Sequence, residues 1–288
     1  MPALLILGAL LWLLALAAPS TRPPGGPDDR PVKDLKPLHL AAWNPHLGAP
    51  RDRIQAWVAD TRAWADLWVL NEVGRSFAAL AAIAKVFGLG HAQERPVARG
   101  AVVDERGSTA ILTGPGFHRG GGRVLALARR WKVFSANRWH TGRRLQIQRG
   151  KVGGRAGWRV KVVAAHGPTN GPNGGNRDAY AEFLAVLLRA LVFTRPGTVV
   201  VIAGDLNAKR ADLAKWIRSP ALAWLGLRMA GHNVDWCITR GADVNAERGE
   251  SKRGSDHYPI RYTITPRPKR LAKIRAAITS RRRRRARK

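Results

Sequence analysis

The sequence predicts an α/β protein in which two β-sheets pack face to face and helices cover their outer faces. Strand-like and helix-like segments alternate through the middle of the chain, with pairs of strands interspersed. The strand-like segments are apolar at consecutive positions, which is typical of strands buried on both faces. A chain of 288 residues that is 45% hydrophobic is large enough to bury such a core.

The predicted strands are short apolar runs that end at a polar residue or a turn. Residues that favour the pleated conformation, such as Val, Ile and Trp, are frequent in them. In chain order, the segments that contain these strands are LHLAAWN (38–44), DLWVLNEV (66–73), STAILTG (108–114), VLALARRWKVFSA (124–136), WRVKVVAAHGPTNG (158–171), GTVVVIAGDLNA (197–208), NVDWCITRGADV (233–244) and GSDHYPIRYTIT (254–265). The fifth and sixth segments end in a loop, and the last begins with one.

The predicted helices carry apolar residues at helical spacing. In the first, Ile54, Trp57, Val58 and Trp64 recur at this spacing after Pro50, and a proline is tolerated at the start of a helix. In chain order they are PRDRIQAWVADTRAW (50–64), RSFAALAAIAKVFGLG (75–90), NRDAYAEFLAVLLRALVF (176–193) and RADLAKWIRS (210–219).

The N-terminal segment, residues 1–18, is apolar and close to the minimum length of a membrane span. The motif ALA at 15–17 resembles a signal-peptidase site, but no Lys or Arg precedes the apolar run. A cleaved signal peptide, an uncleaved anchor and a misassigned start are all open. We expect secretion or membrane anchoring, and a cytoplasmic location if the segment is not a signal.

The rest of the chain divides into three parts. Residues 19–35 are rich in Pro and Gly and predict a linker. Residues 36–265 show no repeat and no composition break, so we expect one folded domain. Residues 266–288 contain RRRRRARK and predict a disordered basic tail.

The formal net charge of +31 is extreme. The tail after Pro266 holds twelve Lys and Arg residues and no acids, so subtracting it from +31 leaves +19 for the rest of the chain. A basic body indicates a polyanionic partner, with nucleic acid first and an anionic membrane second. A solvated, arginine-rich surface is the alternative. The single cysteine, Cys237, excludes an internal disulfide and is expected in the core.

Polar residues cluster where the predicted strands meet loops. A lone acid after a strand is usually a turn or helix cap. Together, however, these residues supply hard oxygen ligands and two histidines, a set that suits Mg²⁺ or Mn²⁺ rather than zinc. They are Asn44, Glu72, His166, Asp205, Asn207, Asp256 and His257.

The motifs AAWN, VLNEV, AAHGP, GDLNA, VDW and GSDHYPI, in this order, resemble the endonuclease/exonuclease/phosphatase superfamily. The resemblance covers residues 38–265 and implies a deoxyribonuclease I-like fold, a four-layer α/β sandwich of two mixed sheets flanked by helices. It implies that Glu72 is the principal metal ligand, assisted by Asn44, with Asp256 as a further ligand or a nearby acid.

The same resemblance implies the remaining roles. Asp205 would orient or deprotonate the attacking water, and Asn207 would hydrogen-bond a phosphate oxygen or the nucleophile. His257 would contact the phosphate as acid, base or transition-state stabiliser, oriented by Asp235. The second active-site histidine would be His166. In the loop that follows, Asn170 would contact phosphate.

The chain departs from the family pattern at several points. Ala42 stands where family members often have a second Asn, and Asn71 stands where Gln is common. A Tyr of the kind that contacts phosphate in the nuclease branches is not evident in the middle region. A carboxylate partner for His166 is not evident either, and Glu105 is as readily a solvated loop acid. These departures weaken assignment to a subfamily and leave the metal site intact.

The sequence therefore predicts a Mg²⁺- or Mn²⁺-dependent phosphodiesterase, most simply an endonuclease that hydrolyses nucleic acid, with DNA as the expected substrate, by an activated water. A phosphatase or lipid phosphodiesterase, acting on inositol phosphates or sphingomyelin near a membrane, is the alternative that the apolar N-terminal segment supports. A non-enzymatic binding module is a third class. We expect a monomer, with anionic-membrane contact through residues 1–18 and the basic tail as a further interaction.

Overall fold

The structure, a computed structural model, describes part of the chain. The described residues are 35–46, 50–73, 77–93, 109–126, 131–133, 138–140, 144–153, 157–169, 177–195, 197–274 and 276. The apolar N-terminal segment, nearly all of the predicted linker and the end of the basic tail lie outside these ranges. Within them, no helix has the length and apolar character that crossing a membrane requires.

The secondary structure consists of strands and helices that alternate along the chain. The helices are α1 (Arg51–Thr61), α2 (Phe77–Phe87), α3 (Arg177–Val192), α4 (Arg210–Ile217) and α5 (Pro220–Ala223). The strands are β1 (Leu38–Trp43), β2 (Leu67–Leu70), β3 (Gly90–Gln93), β4 (Ala110–Thr113), β5 (Phe117–Ala126), β6 (Trp131–Val133), β7 (Arg138–His140), β8 (Arg144–Val152), β9 (Trp158–Ala164), β10 (Val199–Asp205), β11 (Arg228–His232), β12 (Asp235–Arg240), β13 (Ala242–Arg248) and β14 (Ile260–Pro266).

The strands form two six-stranded mixed sheets and one two-stranded sheet. The first large sheet has the order β13-β14-β1-β2-β4-β3, and the second has the order β11-β12-β10-β9-β8-β5. Each contains one parallel pair, β1 with β2 and β9 with β10, and the other described pairs are antiparallel. The small sheet pairs β6 with β7.

Three apolar clusters show how the layers stack. One joins the inner faces of the two large sheets, and the other two join each outer face to its helices. Strand β10 shows the pattern: Val199 and Val201 lie in the inner cluster, whereas Val200 and Ile202 pack towards α3 and α4. Because both faces are covered, its residues are apolar at every position up to the glycine. The predicted sandwich of two mixed sheets with outer helices is confirmed.

Some predicted elements have different bounds in the structure. The first helix ends at Thr61, so Trp64 lies beyond it, where its ring packs against His39 at 4.9 Å. The strand predicted at 233–244 is two strands, β12 and β13, because Gly241 turns the chain with φ of +83°. The strand predicted at 124–136 is likewise divided between β5 and β6.

Parallel pairing places the functional segments at one edge. Strands β1, β2, β9 and β10 run in parallel pairs, so their carboxyl ends lie at the same edge of each sheet. Strand β12 is antiparallel and begins with Asp235 opposite Asp205. The loop before β14 is brought to the same edge by the pair Ala42–Ile260. We call this edge the catalytic rim: Asn44, Glu72, His166, Asp205, Asn207, Asp235, Asp256 and His257.

Candidate active site

The centre of the catalytic rim is a contact between the two sheets. Nε2 of His166, after β9, lies 3.4 Å from Oε1 of Glu72, after β2, and 3.4 Å from Oδ2 of Asp205, at the end of β10. The His166 side chain is 1% exposed, and neither ring nitrogen has a hydrogen-bond partner among the described residues. A buried polar atom that faces two carboxylates indicates a place for a cation.

The backbone at Glu72 is in a left-handed conformation, with φ of +52°. A non-glycine residue in this region stores strain, which the surrounding structure must maintain. The conformation turns the chain directly after β2, and the Glu72 carboxylate lies next to His166. Backbone strain at such a position is typical of functional sites.

The second centre of the rim is the pair Asp235–His257. Nδ1 of His257 donates a hydrogen bond to Oδ2 of Asp235 at 2.7 Å, and Nε2 lies 3.7 Å from both Asp205 and Asp256. Burial alone would lower the pKa of His257, but the Asp235 hydrogen bond and the charges of Asp235, Asp205 and Asp256 outweigh it and raise this pKa to about 9. A pKa above neutral favours the protonated imidazole, in which Nε2 carries a hydrogen and can donate a hydrogen bond.

The acid Asp205 is held from both sides. Asn44 donates from Nδ2 to Oδ2 of Asp205 at 3.1 Å, and the backbone N–H of Asn207 donates to Oδ1 at 2.9 Å. The side chain of Asn207 donates to the carbonyl of Gly167 at 3.0 Å, and its φ is +49°. These bonds fix one orientation of the Asp205 carboxylate before any substrate binds, as preorganised sites require.

The loop that carries Asn207 is fixed by two further hydrogen bonds from the core. The Tyr180 hydroxyl on α3 donates to the carbonyl of Leu206 at 2.8 Å, and Nε1 of Trp236 donates to that of Ala208 at 2.8 Å. Both donors are buried. The role of Asn207 towards phosphate stays a prediction, and Asn170 and Glu105 lie outside the described residues.

The loop before β14 is joined to the end of β1 by Ser255. Its hydroxyl donates to the carbonyl of Asn44 at 2.6 Å and accepts from the backbone N–H of His257 at 3.0 Å. Nε1 of Trp43 also donates to the His257 carbonyl at 3.3 Å. Sequence reasoning did not identify this role of Ser255, because it depends on the pairing of the first strand with the last.

One more residue beside the rim, His46, was missed by sequence reasoning. Nδ1 of His46 lies 3.3 Å from Asp256 and 3.8 Å from Glu72, and His46 also has positive φ, +59°. His46 lies in the loop that follows the AAWN motif. The available signal in the sequence was a histidine two residues after the predicted site residue Asn44. The partners of His166 were also missed: Glu72 and Asp205 lie beside it, and Glu105 is not needed to supply an acid.

Residue Asn71 joins the two halves of the rim. Its Oδ1 accepts the backbone N–H of Asp205 at 3.0 Å, and its Nδ2 donates to the carbonyl of Ala165 at 3.0 Å. The side chain is buried, and it connects β2 of the first sheet to the second sheet. Gly204 permits this close approach, because a Cβ there would clash with Ala165 and Asn71 and its φ is +134°.

The rim residues fit a hard divalent cation. Ligand atoms of Glu72, His166 and Asp205 lie within 4.8 Å of one another, and so do those of Asp205, Asp235 and His257. In the second group Asp235 and His257 already bind each other, so the first group offers the better donors. The carboxylate oxygens suit Mg²⁺ or Mn²⁺, whereas the imidazole also suits other divalent metals, so the identity of the metal stays a prediction. The side chain of Asp256 is 61% exposed and belongs to neither group, so its predicted role as a ligand stays a prediction.

A four-layer sandwich of two mixed sheets, with acids and histidines on one rim, defines the deoxyribonuclease I-like fold class. The chain belongs to the endonuclease/exonuclease/phosphatase family, whose sequence model matches residues 41–269. Members of this family are hydrolases that act on phosphodiester bonds, and they are generally dependent on divalent metals. No curated protein sequence matches the chain.

Several solved structures share the fold at low sequence identity. TDP2 from C. elegans is 20% identical with a TM-score of 0.54, over 81% of this chain and 77% of that one. The human Nocturnin catalytic domain is 16% identical with a TM-score of 0.57, over 81% and 96%. An endonuclease/exonuclease/phosphatase protein from Beutenbergia cavernae is 19% identical with a TM-score of 0.56, over 81% and 72%.

Proposed function

We propose that this protein is a Mg²⁺- or Mn²⁺-dependent phosphodiesterase that hydrolyses nucleic acid, most simply as an endonuclease on DNA. The observation that carries this proposal is the convergence of Glu72, His166 and Asp205 with the Asp235–His257 pair on one rim. A bound divalent cation would neutralise charge on the phosphoryl oxygens, and Glu72 and His166, which lie beside Asp205, are the residues that would hold it.

The rim residues divide the work of hydrolysis between them. Asp205 orients a water molecule and takes its proton as the water oxygen forms a bond to phosphorus. The protonated His257 donates Nε2–H to the oxygen that leaves as the phosphorus–oxygen bond breaks. Asp235 holds the imidazole through Nδ1, which fixes its orientation and supports its positive charge. One proton is taken from water and one is given to the leaving group, so the step is balanced.

The substrate class is supported by charge. A net charge of +19 outside the tail attracts a long polyanion more strongly than a small phosphate ester. One solved relative with this fold, TDP2 from D. rerio, is described in complex with a single-strand DNA product. That relative is 14% identical, so it supports a nucleic-acid substrate only by analogy.

The test is nicking of supercoiled plasmid by the purified protein with Mg²⁺ and with EDTA. Wild type should nick only with the metal, and Asp205→Ala and His257→Ala should reduce the rate by about 100-fold or more, because each removes a proton-transfer group. Asp243→Ala and His118→Ala are matched controls on exposed strand positions and should nick like wild type.

Three results would contradict the proposal. Equal nicking by the Asp205 and His257 variants would show that the activity comes from a contaminant. Intact plasmid, together with release of phosphate from inositol phosphates or cleavage of sphingomyelin, would show that the enzyme is the alternative phosphatase or lipid phosphodiesterase. Intact substrates with strongly salt-dependent DNA binding would indicate a binding module.

A further inference from the structure

A cluster of cations surrounds one aromatic ring beside the catalytic rim. Cζ of Arg248 lies 4.5 Å from the centroid of the Tyr258 ring, and Nζ of Lys252 lies 5.4 Å from it. The His232 ring meets the same tyrosine edge-on at 5.9 Å, and its Nε2 lies 3.4 Å from Nη1 of Arg248. We call these four residues the Tyr258 cluster.

The cluster adjoins the Asp235–His257 pair. Tyr258 directly follows His257 in the chain, and His232 is opposite Asp235 in the β11–β12 register. The end of β13, which carries Arg248, is held to the same loop by a hydrogen bond from the Gly249 N–H to the Pro259 carbonyl at 2.8 Å. A group bound by the cluster is therefore next to the histidine proposed to protonate the leaving oxygen.

The cations of the cluster lack acidic partners among the described residues. Neither Arg248 nor Lys252 forms a salt bridge with any of them. Other arginines do: the half-buried Arg253 lies 2.7 Å from Asp60, and the exposed Arg228 lies 3.6 Å from Asp243. Two like charges held over one ring repel each other, and an anion bound between them relieves that repulsion.

We propose that the Tyr258 cluster binds the backbone phosphate of the nucleotide next to the scissile bond. This inference rests on the proposed nuclease function. Arginine and lysine are the usual donors to nucleic-acid phosphates, and such contacts fix the register of a strand without reading its sequence. The Tyr258 ring positions the two cations, and the scissile phosphate lies one nucleotide away, at His257.

The test compares DNA binding by charge-removing variants with a matched control. Arg248→Gln, Lys252→Gln and their double variant remove the cations, whereas Arg261→Gln removes an arginine that lies over a different ring, Trp64, at 5.6 Å. Binding of a labelled short DNA duplex is measured by fluorescence anisotropy in EDTA, across a series of salt concentrations. The use of EDTA separates binding from hydrolysis.

The double variant should bind about tenfold more weakly at low salt, and its slope of log Kd against log salt should fall by about 1, since one phosphate contact contributes about 0.9 to that slope. The Arg261→Gln protein should keep the wild-type slope. An unchanged slope in a double variant that is folded by circular dichroism would overturn the inference. Unchanged DNA binding with lost binding of an inositol polyphosphate would also overturn it.

A second measurement separates this inference from the proposed function. With Mg²⁺, the rate on the duplex is divided by the rate on bis(p-nitrophenyl) phosphate, which has no flanking phosphate. The double variant should lower this ratio about tenfold, in proportion to its loss of DNA affinity. If wild type hydrolyses neither substrate, the proposed function is wrong. If wild type cleaves DNA and the ratio is unchanged, the Tyr258 cluster alone is wrong.

Discussion

The two ends of strand β10 both lie beside buried charges, but of opposite sign. At the carboxyl end, Asp205 lies among Glu72, His166 and His257. Near the amino end, Val200 is paired on one side with Lys161 of β9 and on the other with Arg240 of β12. These two cations are 2% and 0% exposed.

The partners of the charges differ between the two ends. Nζ of Lys161 donates to the carbonyl of Ala190 at 2.8 Å and to Oγ1 of Thr194 at 2.9 Å. Nη1 of Arg240 donates to the carbonyl of Leu191, and Nη2 donates to that of Thr198 at 3.0 Å. Burial lowers the pKa of Arg240 to about 10, so it still carries its charge at neutral pH.

The cationic end is thus part of the scaffold. Its charges bind the carbonyls at the carboxyl end of α3, where the helix dipole is negative and the last carbonyls need donors. At the acidic end, the carboxylates of Glu72 and Asp205 come from different sheets, and both lie beside histidines. Buried charges that bind backbone groups stabilise a fold, whereas buried charges that converge on one another are placed for a ligand.

The largest expected difference between the two ends of β10 is in the free energy of unfolding when one charge at each end is neutralised. Arg240→Met leaves two buried carbonyls without their donor and should lower the free energy of unfolding by about 3 kcal/mol. Asp205→Asn keeps the size of the side chain and relieves repulsion with Glu72, which opposes the loss of one accepted hydrogen bond, so its unfolding free energy should change by less than about 1 kcal/mol. Urea unfolding followed by circular dichroism measures both.

Activity should show the reverse order. Per folded molecule, Arg240→Met should nick plasmid like wild type, whereas Asp205→Asn should lose about 100-fold or more. A large loss of activity in folded Arg240→Met, or a large loss of stability in Asp205→Asn, would show that the two ends are not functionally separate.

A smaller effect on stability and activity is expected at Asn71, which connects the two sheets beside the rim. Asn71→Leu removes both hydrogen bonds from its side chain and should lower the unfolding free energy by about 2 kcal/mol. It should also raise the Mg²⁺ concentration for half-maximal nicking about tenfold, because Glu72 and Asp205 lose their common support. A purely structural role would lower stability and leave the Mg²⁺ requirement unchanged, and a Mg²⁺ titration of nicking distinguishes the two.

The smallest expected effect is stabilisation by the metal itself. At a tenfold excess of Mg²⁺ over its Kd, binding to the folded state should raise the unfolding free energy by about 1.4 kcal/mol. Thermal unfolding with and without Mg²⁺ measures this increment. The increment should persist in Arg240→Met and shrink in Glu72→Gln. An equal increment in wild type and in both variants would place the ion away from the rim.

The two ends of β10 also differ in how far the sequence predicted them. The acidic end was predictable, because apolar runs that stop at Glu72 or Asp205 mark the ends of buried strands, and strand ends are where sites form. The cationic end was not, because lysine and arginine in a strand usually indicate a solvated face. The burial of Lys161 depends on the position of α3 above the sheet.

Strand β8 was not predicted from the sequence, for a related reason. Strand β8 contains Gln146 and Gln148, which resemble the polar face of an exposed strand, yet both are buried. The Gln148 side chain donates to the carbonyl of Gly120 at 2.7 Å. The bridging roles of Asn71 and Ser255 also depend on contacts between distant segments, and the strand pattern does not contain that information.

The pairing of β1 with β14 has a consequence for the order in which the protein is made. The rim needs Asn44 from the start of the domain and His257 from its end, and Ser255 joins them only when β14 lies beside β1. A ribosome makes the amino-terminal strands first. The complete set of rim residues therefore cannot assemble until the last strand has emerged from the ribosome.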